Sequence, residues 1–299
     1  MWETALAFAI WGSYGTVLTA AHIDPALTAI ARSAGLGLLL TIASVAIARL
    51  RGPREITAVI PWRSGALWLS GAVLLVDEVL YSVSAVSGPV AIIGLAYGCV
   101  PMLAPLLSRL AGTDRGDTMR ARHWVCLALA FAGNGVVFWE LQTARIPFTM
   151  AAVFAFLAGL LFTLMPVCSA RLQQEGLGTW AVLKGQGAVA AILAVPLLAL
   201  LIVLGAVSLG GPGHAEIVRR SLEAGAVNAV AFTMTPFYLW YRGIARCGVA
   251  RTSICAFAEP LVATLFSLLV LKDAPATPAL VGGVALVLVA IGVSTRSGD

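Results

Sequence analysis

Ten stretches of roughly 20 apolar residues follow one another along this 299-residue chain, and that recurrence leaves few folds open. A run of this length crosses a hydrocarbon core of ~30 Å at 1.5 Å per residue. Inside lipid each backbone polar group must be satisfied within its own segment, so the runs are expected to be helices. The predicted spans are roughly 2–21, 25–48, 64–87, 89–110, 122–141, 147–170, 178–206, 222–245, 250–271 and 277–295. Links as short as His22-Ile23-Asp24 and Ser87-Gly88 make neighbouring helices antiparallel, and Gly210-Gly211-Pro212-Gly213 marks the longest loop. Only 11% of residues are charged, against ~25% in soluble domains, so no separate water-solvated domain is expected. The first span opens Met1-Trp2-Glu3 with no basic segment. Although Ala20 and Ala21 imitate a cleavage site, the run is expected to remain as a span.

The net charge of +5 forms no patch suited to nucleic acid and instead marks sidedness. Placing both termini on one side puts thirteen basic residues there, in links near Arg49, Arg63, Arg109, Arg122, Arg171, Arg242, Arg246 and Arg251 and in the tail at Arg296. Arg145, Arg219, Arg220 and Lys272 fall opposite. Thirteen against four puts both termini in the cytoplasm of a bacterial-type inner (plasma) membrane. Arg32 and Lys184 lie inside spans and are expected to snorkel to an interface.

Segment 90–110 lies on segment 249–269 without a gap, with identities that include Val90/Val249, Pro101/Pro260, Ala104/Ala263 and Ser108/Ser267. A weaker match sets Ala5, Gly12 and Thr16 against Ala152, Gly159 and Thr163. The expectation is two five-helix halves, 1–145 and 146–299, in one integrated transmembrane unit. Five being odd, the halves are inverted relative to each other, an arrangement that places a solute site near the midplane between them. Pro101 and Pro260 both fall ~15 Å deep, where a proline kinks a helix and frees a carbonyl; they are candidate hinges.

Three acids lie within spans: Asp77, Glu78 and Glu259. An intramembrane carboxyl is costly unless protonated, paired or hydrated, so each is a candidate for proton or cation binding, or else pairs with Arg or Tyr to fix helix register. Trp11 and Tyr14, Tyr81, Tyr97, and Trp240 with Tyr241 share these helices and are candidate substrate-binding residues together with Glu78 and Glu259. An aromatic cavity suits a flat apolar solute with a charged handle, such as an aromatic amino acid. The competing account, an interfacial aromatic belt, covers Trp62, Trp124 and Trp180 and extends to Tyr238, Trp240 and Tyr241. Gly94/Gly98 and Gly133-Asn134-Gly135 read as close helix contacts, with Asn134 bonding across helices. The five cysteines read as packing residues and the three histidines are scattered, so no metal and no cofactor is expected. No nucleotide-binding fingerprint and no nucleophile–base set is present, which speaks against ATP-driven transport by this chain and against a membrane enzyme or scaffold.

Trp11-Gly12-Ser13 in the first span, Glu259-Pro260-Leu261 in the ninth and Leu271-Lys272-Asp273 after it resemble the EamA-type drug/metabolite transporter superfamily over nearly the whole chain. Glu78, Tyr97 with Pro101, and Trp240 with Gly243 are similar to the YddG-type aromatic amino acid exporters. The resemblance implies a basket of helices around a central cavity lined by spans 1, 3, 4, 6, 8 and 9, and secondary export of amino acids or related metabolites. Glu259 departs from the narrower pattern. The partners expected are a small solute, the lipid bilayer and, as a coupling ion, the proton. The alternative cargo is a nucleotide sugar or lipid-linked metabolite, whose negative charge calls for buried Lys or Arg.

Overall fold

The computed structural model describes residues 1–21, 23–51, 60–88, 90–97, 100–113, 121–143, 150–207, 214–272 and 277–296. Every regular element among them is helical. The first three spans are single helices, α1 (Trp2–Ala21), α2 (Pro25–Arg51) and α3 (Gly65–Ser87). Of the fourth, α4 (Val90–Tyr97) and α5 (Val100–Leu110) are described, with 98 and 99 outside the described residues, and the fifth is α6 (Ala121–Thr143). The sixth is divided into α7 (Met150–Phe162) and α8 (Leu164–Gln174), and the seventh is α9 (Thr179–Val203). The eighth runs from α10 (His214–Asn228) through a π-helical stretch, Ala229–Met234, into α11 (Thr235–Cys255). Within α11 the chain turns at Gly248 (φ 76°, ψ 169°), and the ninth span continues through α12 (Ala258–Phe266) and a second π-helical stretch, Ser267–Leu271. The last is α13 (Pro278–Arg296).

Five of these helices are long and apolar enough to cross a membrane, or six if the pair bent by 42° at Cys255–Ala258 counts as one span. His123–Val136 and Pro278–Val293 are shorter apolar helices. The expected number is ten.

The outer surface is apolar. Val195, Val203, Leu269 and Trp139 are each more than 70% exposed, as side chains facing lipid are. The interior holds one main cluster, with a smaller one around Cys126, Leu127, Phe257 and Val287 where α6 meets α13. Hydrophobic transfer does not drive helices together inside lipid, so close backbone approach has to. α2 crosses α9 where Gly37 meets Gly187, and a Cβ on Gly37 would overlap the Gly187 carbonyl, its carbon 2.7 Å away. Backbone cannot swing aside, so Gly37→Ala is expected to cost about 1–3 kcal/mol in thermal unfolding. Gly135→Ala is the control. It meets nothing within 4 Å and is expected to be neutral or to stabilise by about 0.5–1 kcal/mol. An unchanged melting temperature for the Gly37 variant would remove this contact from the account.

Of the expected glycine contacts, Gly133 packs against the Gly283 carbonyl of α13 and Gly94 against Ala263 of α12, whereas Gly98 lies outside the described residues. Asn134 is buried, and its Nδ2 has no hydrogen-bond partner among the described residues. Glu3 at the start of α1 lies 3.7 Å from Arg242 and 3.2 Å from Arg246, tying that end to α11. Cys168, Cys247 and Cys255 are free thiols, and Cys99 lies outside the described residues.

Candidate functional site

Helical spacing brings the polar residues inward. Trp11 and Tyr14 are one turn apart on α1, and Asp77, Glu78 and Tyr81 follow within a turn and a half on α3. With Arg32 of α2, Tyr97 at the end of α4 and Glu259 of α12 they surround a small hollow, completed by Phe162 and Phe237. Its free volume for water centres is about 20 Å³, space for one or two waters.

The seat of Glu259 depends on Gly12. A Cβ there would stand 2.5 Å from the Glu259 carbonyl oxygen and 2.7 Å from Val262 Cβ, so only glycine lets α12 approach α1 at the level of Trp11.

Prolines stand beside three of the described irregularities, at Pro166, Pro236 and Pro260, whereas Pro196 lies within an unbroken α9. A proline has no N–H to give to the carbonyl four residues before it. Pro101, Pro166, Pro236 and Pro260 therefore leave the carbonyls of Tyr97, Phe162, Phe232 and Ala256 without their α-helical donors. α7 ends at Phe162, and before Pro260 the chain tightens, with Glu259 N–H reaching the Ala256 carbonyl at 3.1 Å. The π-helical stretch precedes Pro236, and the freed Phe232 carbonyl accepts from Trp11 Nε1 at 2.7 Å and from Arg32 Nη2 at 2.6 Å.

Arg32 is the electrostatic centre of the chamber. Its Nη1 lies 2.6 Å from Glu78 Oε2, its Nε donates to Thr233 Oγ1, and its guanidinium stands 4.0 Å over the Tyr14 ring. It is 1% exposed, so the expectation that it snorkels to an interface is wrong. A guanidinium this deep is stable because carboxylate, hydroxyl, carbonyl and aromatic face have all been brought to it. Lys184 is half-buried on α9. Asp77 points the other way round α3, where Tyr97 Oη donates to its Oδ2 at 3.3 Å. Among the described residues, Arg32 with Glu78 is the single ion pair inside the chamber, although three carboxyl groups line it.

Of the residues expected at the site, Trp11, Tyr14, Glu78, Tyr81, Tyr97, Glu259 and Asp77 all reach the hollow. Trp240 and Tyr241 do not. Both are buried, at 3% and 0% exposure, so neither belongs to an interfacial belt. Trp240 stacks on Phe162 at 4.9 Å and meets Trp11 and Phe8 edge-on, building an aromatic layer beside the chamber. Trp62 and Trp124 are 45% and 39% exposed, as the belt reading has it. Pro260 stands at the helix break next to Glu259; Pro101 is the second residue of α5, its side chain outside the described residues. The residues missed in sequence are Arg32, Phe162, Phe237 and Thr233. Arg32 carried a signal, since three intramembrane acids call for a cation and it lies seven residues beyond Pro25, ~11 Å deep.

A second, open crevice of about 610 Å³ lies where α3 begins and α8 ends, lined by Ser64, Leu69, Thr113, Cys168, Arg171 and Glu175 among others. Cys168 is six residues beyond Phe162, so roughly 9 Å of helix separates the crevice from the chamber.

Residues 149–295 match the EamA-like transporter family. No curated protein matches the chain. Among solved structures 27 chains match. One, described only as "Crystal structure of protein", aligns over 98% of this chain and 96% of its own with a TM-score of 0.71 at 21% identity, a likeness of fold. The family match and the apolar helices together make this a multi-pass membrane protein.

Proposed function

We propose, from the EamA-like match over residues 149–295, that this chain is a secondary exporter of small solutes, amino acids and foremost aromatic ones, working by alternating access. The observation that carries the reading is the buried chamber at the meeting of many helices, lined by charged groups and by aromatic rings. Ten spans in two inverted five-helix halves, 1–145 and 146–299, are the architecture it uses. The packing of the helices supports this arrangement. α1 packs on α12 as α7 packs on α4, α3 on α9 as α10 on α2, and α1 on α11 as α3 on α7 and α8. Exchanging the halves carries each of these contacts into its counterpart.

Breaks at mid-helix supply the freedom to rock, with Pro101 and Pro260 at hinges and the stacked Phe162 and Trp240 as an inner gate. Glu259, Asp77 and Glu78 are the proton-binding candidates, and the cytoplasm holds both termini. A nucleotide sugar or other polyanion fits less well, because three acids face a single guanidinium in the chamber.

Purified protein in liposomes is expected to give saturable flux of labelled phenylalanine and tryptophan above protein-free vesicles. Absence of flux with these and with the remaining amino acids would refute the proposal.

A further inference from the structure

We infer that the crevice between α3, α5 and α8 is the mouth at which an amphipathic solute is loaded, with α8 as the moving wall between it and the chamber. The inference rests on the transport reading above and says where the cargo enters. The crevice holds about 610 Å³ against about 20 Å³ in the chamber, so of the two it has the room for a solute. Both openings lie between the same spans. Ser64 and Leu69 of the third, Thr113 after the fourth, and Cys168 and Arg171 of the sixth line the crevice. Asp77, Tyr97 and Phe162 of those spans line the chamber. Leu69 and Asp77 are eight residues apart on α3, roughly 12 Å along one helix.

The crevice opens at the end of the bundle where α1 begins. Gln173 Nε2 on α8 donates to the Tyr241 carbonyl at 3.0 Å, and the next residue, Arg242, lies 3.7 Å from Glu3. With the termini in the cytoplasm, as proposed, this is the face from which an exporter takes its cargo. The lining suits a solute with an apolar body and a polar end. Leu69, Val167 and Ala111 offer apolar surface, while Arg171 and Glu175, both exposed, bring opposite charges 3.6 Å apart. Those two charges cancel, so a polyanion gains no net attraction there.

The sixth span is jointed where such a wall has to turn. α7 ends at Phe162, and the Thr163 N–H is shared between the carbonyls of Gly159 and Leu160 at 3.1 and 3.3 Å. The joint therefore stands between Phe162, which lines the chamber, and Cys168, which lines the crevice. Where α8 meets α9 and α11 its hold is poorly matched. Ser169 Oγ, both ends of the Gln186 amide and Tyr241 Oη are fully buried with no aligned hydrogen-bond partner among the described residues. Tyr241 stands beside Gln186 and near Cys168, so this seam backs onto the crevice wall. Buried polar atoms without partners are costly, which makes the seam easier to part than an apolar one and gives a solute's polar end something to bind as it passes.

The test uses the full chain in liposomes and labelled L-phenylalanine. Leu69→Trp and Ala111→Trp fill the crevice from two walls, and both positions are exposed, so little packing is disturbed. Each is expected to slow flux about tenfold. Val203→Trp, on α9 and 82% exposed, is the control and is expected to leave flux unchanged. A second measurement needs no variant to fold. N-Ethylmaleimide labelling of the wild type, mapped by peptide mass spectrometry, is expected to modify Cys168, and saturating phenylalanine to slow that modification severalfold. Cys247, outside the crevice lining, supplies the reference rate. Undiminished flux in both filled variants, or a Cys168 that the reagent does not reach or phenylalanine does not protect, overturns the inference and leaves the transport proposal standing. A wild type that moves no amino acid removes both.

Discussion

Replacing Arg32 alone with glutamine is expected to destabilise the protein by about 3–5 kcal/mol, enough to reduce the yield of folded protein sharply. Glu78 would be left fully buried with no cation in the chamber, and Thr233 and the Phe232 carbonyl would lose their charged donor. The cost comes from an abandoned charge more than from a lost attraction, so a second change should undo most of it. Arg32→Gln/Glu78→Gln is expected to melt within about 1 kcal/mol of the wild type, since a buried pair removed together is often close to neutral. Thermal unfolding in detergent, followed by tryptophan fluorescence, reads both variants. A single variant as stable as the parent would mean that Arg32 and Glu78 do not meet in the folded protein.

Glu259→Gln is expected to uncouple transport from the proton gradient while leaving phenylalanine binding measurable. Glu259 is 4% exposed and faces Asp77, Glu78, Tyr81 and Tyr97, with Arg32 as the cation of the chamber engaged by Glu78. An acid so placed can stay in an apolar chamber by carrying a proton and release it when the chamber opens to water. If one proton returns for each solute exported, each pH unit across the membrane shifts the accumulation ratio about tenfold. The sign follows from exchange. Liposomes with a lumen one unit more acidic than the bath, their membrane potential clamped at zero by equal potassium and valinomycin, should concentrate phenylalanine about tenfold inside, because protons leave as solute enters. The Gln variant should equilibrate the solute to a ratio of about one at any gradient. A wild-type ratio indifferent to pH makes facilitated diffusion the better account, and a variant that keeps the full slope assigns the proton to another group. Asp77→Asn is the next variant to examine.

Much of the site was legible because helices repeat. Trp11 and Tyr14 are separated by one turn, and Asp77 and Tyr81 by slightly more, so each pair had to share a face whatever surrounded it. Glu259 next to Pro260 was legible because an acid and a helix breaker at mid-depth are both expensive in lipid. Arg32 was misplaced for a physical reason. A long side chain inside a span either reaches for the interface or finds a carboxylate, and the choice depends on whether a partner helix supplies one. That helix supplies Glu78, 46 residues away, and the π-helical stretch supplies Thr233, 201 residues away. Trp240 and Tyr241 depended on distant neighbours in the same way. Aromatic residues near the end of a span suit a belt as well as an internal layer, and only the positions of Phe8, Trp11 and Phe162 decide between them.

The chain alone determined that it is helical and membrane-embedded, where its apolar segments run, and which acids and prolines sit deep. These are consequences of length and hydropathy, which act along one dimension and need no knowledge of neighbours. Tertiary structure alone decided that Arg32 stands at the centre, that Phe232 offers its carbonyl, and that Glu259 reaches the chamber through the gap left by Gly12. Buried charge is stabilised only by specific atoms a few ångströms away, and those atoms come from helices far apart in sequence.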